Sequence, residues 1–190
     1  MILDLFKTGV YFTECDLDLE PIQEFCIQHS YNHTSRELSN EGGYQSPDIH
    51  LKDYNVLAPL HSKIMQEANI FANGMGLNDQ NIDNSWININ GYRDINVMHC
   101  HPGSAISGVF YVNVPEDSGN IVFECPGSEV KDFAWDNQVD HENWNHYNSM
   151  HWTLPARNNI LYLFPSFLKH RVEPNNNQNL KRISISFNTK

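Results

Sequence analysis

Three histidines and one arginine are the residues whose types and spacing could do chemistry here. His99 and His101 form a His-x-His pair, and His170 lies far downstream. Residues i and i+2 of an extended strand project from the same face, so one backbone can present both imidazoles together. Imidazole nitrogen suits Fe, Zn, Cu and Ni. Alone, such a pair fits two ordinary surface histidines equally well, and the arrangement downstream has to decide. Arg182 opens the run Arg182-Ile183-Ser184-Ile185-Ser186-Phe187-Asn188. Period two puts Arg182, Ser184 and Ser186 on one face and Ile183, Ile185 and Phe187 on the other, which is the pattern of a polar lumen backed by a packed core. A planar guanidinium makes two parallel hydrogen bonds to a carboxylate, which a lysine cannot, so Arg182 is a candidate carboxylate binder. Tyr111 and Ser107 share odd parity with His99 and His101, although Pro102-Gly103 can break the register between them. His141, His146 and His151 recur at spacings of five in a polar stretch and read as exposed loop.

The elements that must position these residues change character along the chain. Leu3 to Phe12 reads as a short opening strand, and Pro21 suits the first turn of a helix running to about His29. Asn55 to Met75 is the clearest helix, with Val56, Leu57, Leu60, Ile64, Met65, Ala68 and Phe71 on one stripe and Gly74 and Gly76 as its stop. After Gly76 the period becomes two: residues 86–90, 106–114, 121–124, 160–164 and 182–188 are β-branched and aromatic runs. Helices first and strands afterwards predict one α+β domain over residues 1–190. Residues 1–80 would be mainly helical support, and 81–190 an antiparallel sandwich or jelly roll. The acidic, aromatic segment 126–159, with Trp135, Trp144 and Trp152, interrupts the strands and reads as a lid or binding loop. Glu173 to Leu180 is an Asn-rich turn.

Composition narrows the function classes. The 190 residues carry 12 Lys plus Arg against 23 Asp plus Glu, a net charge of −11, with no basic run to neutralise a phosphate backbone. A nucleic-acid partner is therefore not expected. Cys15, Cys26, Cys100 and Cys125 lie far apart and form no CxxC pair, as expected of free thiols in a reducing compartment. The opening residues lack the features of a signal peptide. No apolar run approaches the roughly 18 residues of a membrane span. The expectation is a soluble, cytoplasmic protein with no membrane partner; its oligomeric state is open.

The ordered series Trp86-Ile87-Asn88, His99-Cys100-His101-Pro102, Gly108 to Asn113, Gly119 to Phe123, Leu161 to Pro165, His170 to Pro174 and Arg182 to Asn188 resembles the double-stranded β-helix of the Fe(II)- and 2-oxoglutarate-dependent oxygenases. It is most similar to a small family of them common in marine bacteria and their phages. Gly43-Tyr44-Gln45-Ser46 adds a similarity in the N-terminal half. The resemblance implies a dioxygenase using Fe(II) and 2-oxoglutarate, releasing succinate and CO2 and hydroxylating an amino-acid, peptidyl or small-molecule substrate. It implies that His170 is the distal metal histidine, that Arg182 binds the far carboxylate of 2-oxoglutarate, and that Tyr111 assists, with Ser184 and Ser107 on the same face.

One departure is central. The usual facial triad is His-x-Asp or His-x-Glu plus a distal histidine, whereas position 101 is histidine. Three placements are open. His99 and His101 can both ligate with His170, the favoured arrangement; His101 can be the first ligand with Gly103 in the acid's place; or Glu124 can supply the carboxylate. Two other classes would also use such histidines: a cupin-like metal isomerase or metal-dependent sugar-binding jelly roll, and a non-enzymatic structural jelly roll. Neither needs an arginine on the final strand.

Overall fold

The computed structural model describes residues 2–135, 138–140 and 142–190. In chain order the elements are β1 (Tyr11–Glu14), α1 (Leu19–Asn32), β2 (Asn40–Glu41), β3 (Tyr44–Gln45), a 3-10 turn (Leu51–Asp53) and α2 (Ala58–Met75). There follow β4 (Ile82–Asn90), β5 (Ile95–His99), β6 (Ile106–Asn113), β7 (Ile121–Glu124) and α3 (Ser128–Ala134). The last are β8 (His151–Leu154), β9 (Ile160–Pro165), β10 (His170–Val172) and β11 (Arg182–Thr189).

Local chemistry sets the two long helices. Asp18 caps α1, its side chain accepting from the Glu20 N–H, and Pro21 occupies the first turn, where a missing N–H costs nothing. Ile22, Cys26 and His29 form its buried stripe. Leu60, Ile64, Ala68 and Phe71 do the same for α2, which ends on Gly76 at φ 71°, a left-handed cap that favours glycine. Glu67 is buried on this helix because the Tyr11 hydroxyl donates to one carboxylate oxygen at 2.5 Å and the Lys63 ammonium to the other at 2.6 Å. The pair ties α2 to β1.

The strands form two antiparallel sheets, a larger one ordered β1-β9-β6-β11-β4-β3 and a smaller one ordered β2-β5-β10-β7-β8. This is the α+β antiparallel jelly roll expected from the strand pattern, in the double-stranded β-helix arrangement that the resemblance implies. The outer face of the larger sheet carries Ile87, Ile89, Phe110, Val112, Ile183, Ile185 and Phe187, which pack with Leu57, Leu60 and Ile64 of the helical layer. Its inner face shares a second core with the smaller sheet, built from Val109, Tyr111, Phe123, Tyr162 and Phe164. The expectation that residues 183, 185 and 187 face the core holds in register, since β11 pairs along its length with both β4 and β6.

Several local expectations are revised. The opening strand is only Tyr11–Glu14, and Leu3, Leu5 and Phe6 before it are exposed. The N-terminal half is mainly helical, but besides the opening strand it adds β2 and β3 to the two sheets. Segment 126–159 is not one loop, because α3 lies in it and β8 completes the smaller sheet against β7. At four residues, mostly exposed, β8 is too short for periodicity to mark it. The Asn-rich turn is built by Asn175, whose side-chain amide donates to the Asn90 and Leu180 carbonyls at 2.9 Å each. All four cysteines are free thiols, and burial pushes Cys26 up to about 12. No described helix is long and apolar enough to cross a membrane.

Gly108 lies where β6 meets β9 and β11, opposite Leu163 and Phe187. A Cβ there would stand 2.3 Å from the Phe187 ring and 2.9 Å from a Leu163 methyl. Both neighbours are fully buried and cannot swing away. Gly108→Ala should therefore destabilise the fold by about 1–3 kcal/mol through overpacking, measured as a lower urea midpoint at unchanged m-value.

Candidate metal and cosubstrate site

His99 ends β5, His170 begins β10, and the two are direct cross-strand partners. Their rings lie 4.3 Å apart between centroids. His101 lies two residues beyond the end of β5, in a turn rather than a strand, with its N–H donating to the Ser166 carbonyl at 2.9 Å. The period-two argument therefore does not place it; the turn does. Its ring nonetheless reaches the same point, 4.9 Å from the His99 centroid and 5.2 Å from that of His170. One ring nitrogen from each histidine falls within 4.8 Å of the others, the single group of this kind among the described residues.

The backbone orients two of these rings. Nδ1 of His99 lies 2.7 Å from the Val97 carbonyl and Nδ1 of His170 lies 2.9 Å from the Leu168 carbonyl. A carbonyl only accepts, so Nδ1 carries the proton and the Nε2 lone pair is left for the cluster. Trp86 flanks His101, and Phe123 and Phe164 flank His170. Burial in this aromatic setting disfavours imidazolium: His101 is lowered to about 4 and His170 to about 3, with the neighbouring His99 adding to both, and His99 itself is lowered. Three neutral imidazoles facing one point can hold a transition-metal ion.

Glu124 and Gly103 have no comparable geometric basis as the third element of the metal site. Glu124 alternates with Phe123 along β7 and turns out of the barrel, where Lys169 donates to it at 3.2 Å. Gly103 occupies a left-handed turn position at φ 86° beyond His101. His146 and His151 are exposed, and His141 lies outside the described residues.

The same cavity continues inward to Arg182. Trp86, Asn88 and Asn90 of β4, Val109 and Tyr111 of β6, and Arg182, Ser184 and Ser186 of β11 line it together with the three histidines. Arg182 is 1 % exposed. Its Nη1 donates to the carbonyls of Ser118 and Glu173, while Nη2 has no partner. The Tyr111 hydroxyl is also buried without a partner, and burial pushes it up to about 12. Two buried donors left open in one cavity are costly unless an acceptor enters. A carboxylate is the acceptor that suits both, so the donor set fits 2-oxoglutarate beside a metal.

Ser107 departs from its expected place. It lies on the lumen parity, but its hydroxyl is engaged with Ser166 and with Asn188 at 2.8 and 2.7 Å, and it does not line the cavity. Asn90 is legible from its parity with Asn88. Ser39 and Asn96 also line the cavity, and no sequence pattern marks Ser39, which arrives through the pairing of the two-residue strand β2 with β5. Trp135, Trp144 and Trp152 are about half exposed and outside the cavity lining.

A double-stranded β-helix with a histidine cluster at one end of a polar lumen defines a class, and comparison with known proteins specifies it. Residues 84–188, from β4 to the end of β11, match the sequence profile of the family described as "Putative 2OG-Fe(II) oxygenase". The chain belongs to this family and is a dioxygenase whose cofactors are Fe(II) and 2-oxoglutarate. A search of curated proteins finds no significant match. The fold resembles a Pseudomonas putida prolyl-4-hydroxylase, with TM-score 0.65, 14% identity and coverage of 96% of this chain and 92% of that one. It also resembles the epimerase SnoN of nogalamycin biosynthesis in complex with Fe3+, alpha ketoglutarate and nogalamycin RO, with TM-score 0.65, 16% identity and coverage of 96% and 78%. A third is a Trichoplax adhaerens prolyl hydroxylase bound to a hypoxia inducible factor peptide fragment, with TM-score 0.63, 14% identity and coverage of 95% and 83%.

The lowered histidines fix a pH dependence. An unfolded histidine titrates near 6.5, while the folded chain resists protonation until about 4 at His101 and about 3 at His170. Stability of the metal-free protein is therefore full above about pH 6.5 and falls as the pH drops below it, with a slope of up to about 1.4 kcal/mol per pH unit for each imidazole. Urea titrations at stepped pH should show this fall, and His170→Gln should flatten it.

Proposed function

We propose that the protein is a hydroxylase in which His99, His101 and His170 hold Fe(II), and Arg182, assisted by Tyr111 and Ser184, takes the far carboxylate of 2-oxoglutarate. The observation that carries this reading is the pair of open donors, Arg182 Nη2 and Tyr111 OH, buried in the cavity that the three imidazoles also line. A metal isomerase or sugar-binding jelly roll has no use for a buried guanidinium with a free N–H. A structural jelly roll has no use for three inward imidazoles. When bound, Fe(II) and 2-oxoglutarate supply activation of O2 and insertion of one oxygen atom into a substrate C–H bond, with succinate and CO2 as co-products.

The chain's own residues provide position and exclusion. Nδ1–H bonds to the Val97 and Leu168 carbonyls hold His99 and His170 in ligand orientation. The Ser118 and Glu173 carbonyls fix one nitrogen of Arg182 so that the other faces the lumen. Phe123 and Phe164 shield His170 from water, and Trp86 packs beside His101. The substrate class ranked first is an amino-acid side chain, peptidyl or free, ahead of other small metabolites; support comes from the prolyl hydroxylases that share the fold and from an acidic surface unsuited to nucleic acid.

Anaerobic addition of Fe(II) and 2-oxoglutarate should produce a visible metal-to-ligand charge-transfer band. Arg182→Gln should lose 2-oxoglutarate binding while iron binding persists, and the milder Tyr111→Phe should weaken 2-oxoglutarate by about tenfold, one hydrogen bond's worth. His101→Asp should keep iron, because it restores the usual carboxylate. Bound iron with no band on adding 2-oxoglutarate would overturn the reading.

A further inference from the structure

The smaller sheet carries one cross-strand row that runs from the metal site to the surface. His99, His170, Phe123 and Trp152 are successive partners across β5, β10, β7 and β8. Directly paired residues of neighbouring antiparallel strands project from one face. Trp152 therefore lies on the same side as the metal histidines, two strands from His170, and it is 46 % exposed. The connection between β7 and β8 leaves after Glu124 and returns at His151, next to this row, so it borders the metal end of the barrel. It adds Phe133, Trp135, Trp144 and Tyr147, all exposed.

Aromatic faces at a wet surface attract cations and bury apolar stems. This connection already seats one: the Lys131 ammonium lies 5.6 Å from the Trp135 ring centroid. The charge around it is complementary to a cationic partner. Asp132 and Glu142 are exposed and make no ion pair among the described residues, and the whole chain carries −11. Beside the aromatic surface, β8 is the terminal strand of its sheet and, among the described residues, pairs on one side only. Its second edge offers backbone hydrogen bonds to an extended chain, which a free amine or single amino acid would leave unused.

We propose that this surface is the substrate-docking site of the oxygenase and that its occupant is a basic, extended polypeptide segment, its lysine or arginine side chains on Trp152 and Trp144 and its reacting residue entering the barrel mouth. The proposal rests on the oxygenase reading for its reaction and on the aromatic row for its location. It makes Trp152 a substrate-binding residue with no part in holding iron or 2-oxoglutarate.

The test uses fluorophore-labelled, terminally blocked Gly-Ser peptides bearing interspersed lysines, with glutamate-bearing and uncharged counterparts. Anisotropy is read with anaerobic protein given Fe(II) and 2-oxoglutarate. The lysine peptide should bind, and the other two should bind at least about tenfold more weakly. Trp152→Ala should reduce lysine-peptide affinity by about tenfold, while Trp152→Phe retains most of it. The charge-transfer band of Trp152→Ala should equal that of the parent protein, which also reports that the variant is folded. Lysine-peptide binding that ignores both Trp152→Ala and Trp144→Ala is general attraction to an anionic protein and overturns the proposal, as does equal binding of the uncharged peptide or no binding at all. Trp152-dependent binding without any charge-transfer band would instead overturn the oxygenase ligand assignment and leave the docking surface standing.

Discussion

The structure depends on one constraint: two neighbouring strands of the larger sheet, β4 and β11, must be apolar on one face and polar on the other, in the same register. Along β11 the apolar set Ile183, Ile185 and Phe187 is held against the helices, and this obliges Arg182, Ser184 and Ser186 to face the lumen. The same division on β4 buries Ile87 and Ile89 and turns Trp86, Asn88 and Asn90 inward. Hydrophobic burial on the outside thus fixes where the polar groups stand on the inside. A slip of one residue would exchange the two sets.

The smaller sheet adds its own constraint through the ladder pair His99 and His170. Backbone carbonyls two residues before each ring set the direction of the lone pairs, so the ligand geometry is written into the strand ends rather than into a flexible loop. Under the proposed ligand set, with His101 as third ligand, the protein side of the metal site would be electrically neutral. The charge balancing a divalent ion would then come from the cosubstrate dianion, with the guanidinium of Arg182 at its other end, and metal and cosubstrate binding would be electrostatically linked.

Much of this is legible in the amino-acid sequence. The division of residues 182, 184 and 186 from 183, 185 and 187 follows from alternation alone, while the convergence of His99, His101 and His170 is what the family resemblance of the ordered series implies. Strand parity gives the right position for His101 on the wrong ground, since the ring reaches the cluster from a turn that no periodicity describes. Ser107 has the right parity, but Ser166 in the turn after β9 and its cross-strand partner Asn188 on β11 capture its hydroxyl. Short strands escape for a related reason: β2, β3 and β8 are two to four residues long and exist because of long-range partners, too short for alternation to distinguish them from loop.

The place of β11 in the larger sheet has a consequence for how the molecule comes into being. It is the last strand in chain order, yet it lies in the interior, between β6 and β4. Without it the sheet is two fragments, β1-β9-β6 and β4-β3, with nothing to join them. Nucleation can begin in either fragment, but the long-range closure that unites them is entropically slow. The guanidinium arrives on the keystone strand itself, so on the proposed ligand set a chain that had not yet placed β11 would hold its three histidines without the group that anchors the cosubstrate. Redox competence would then await closure of the barrel.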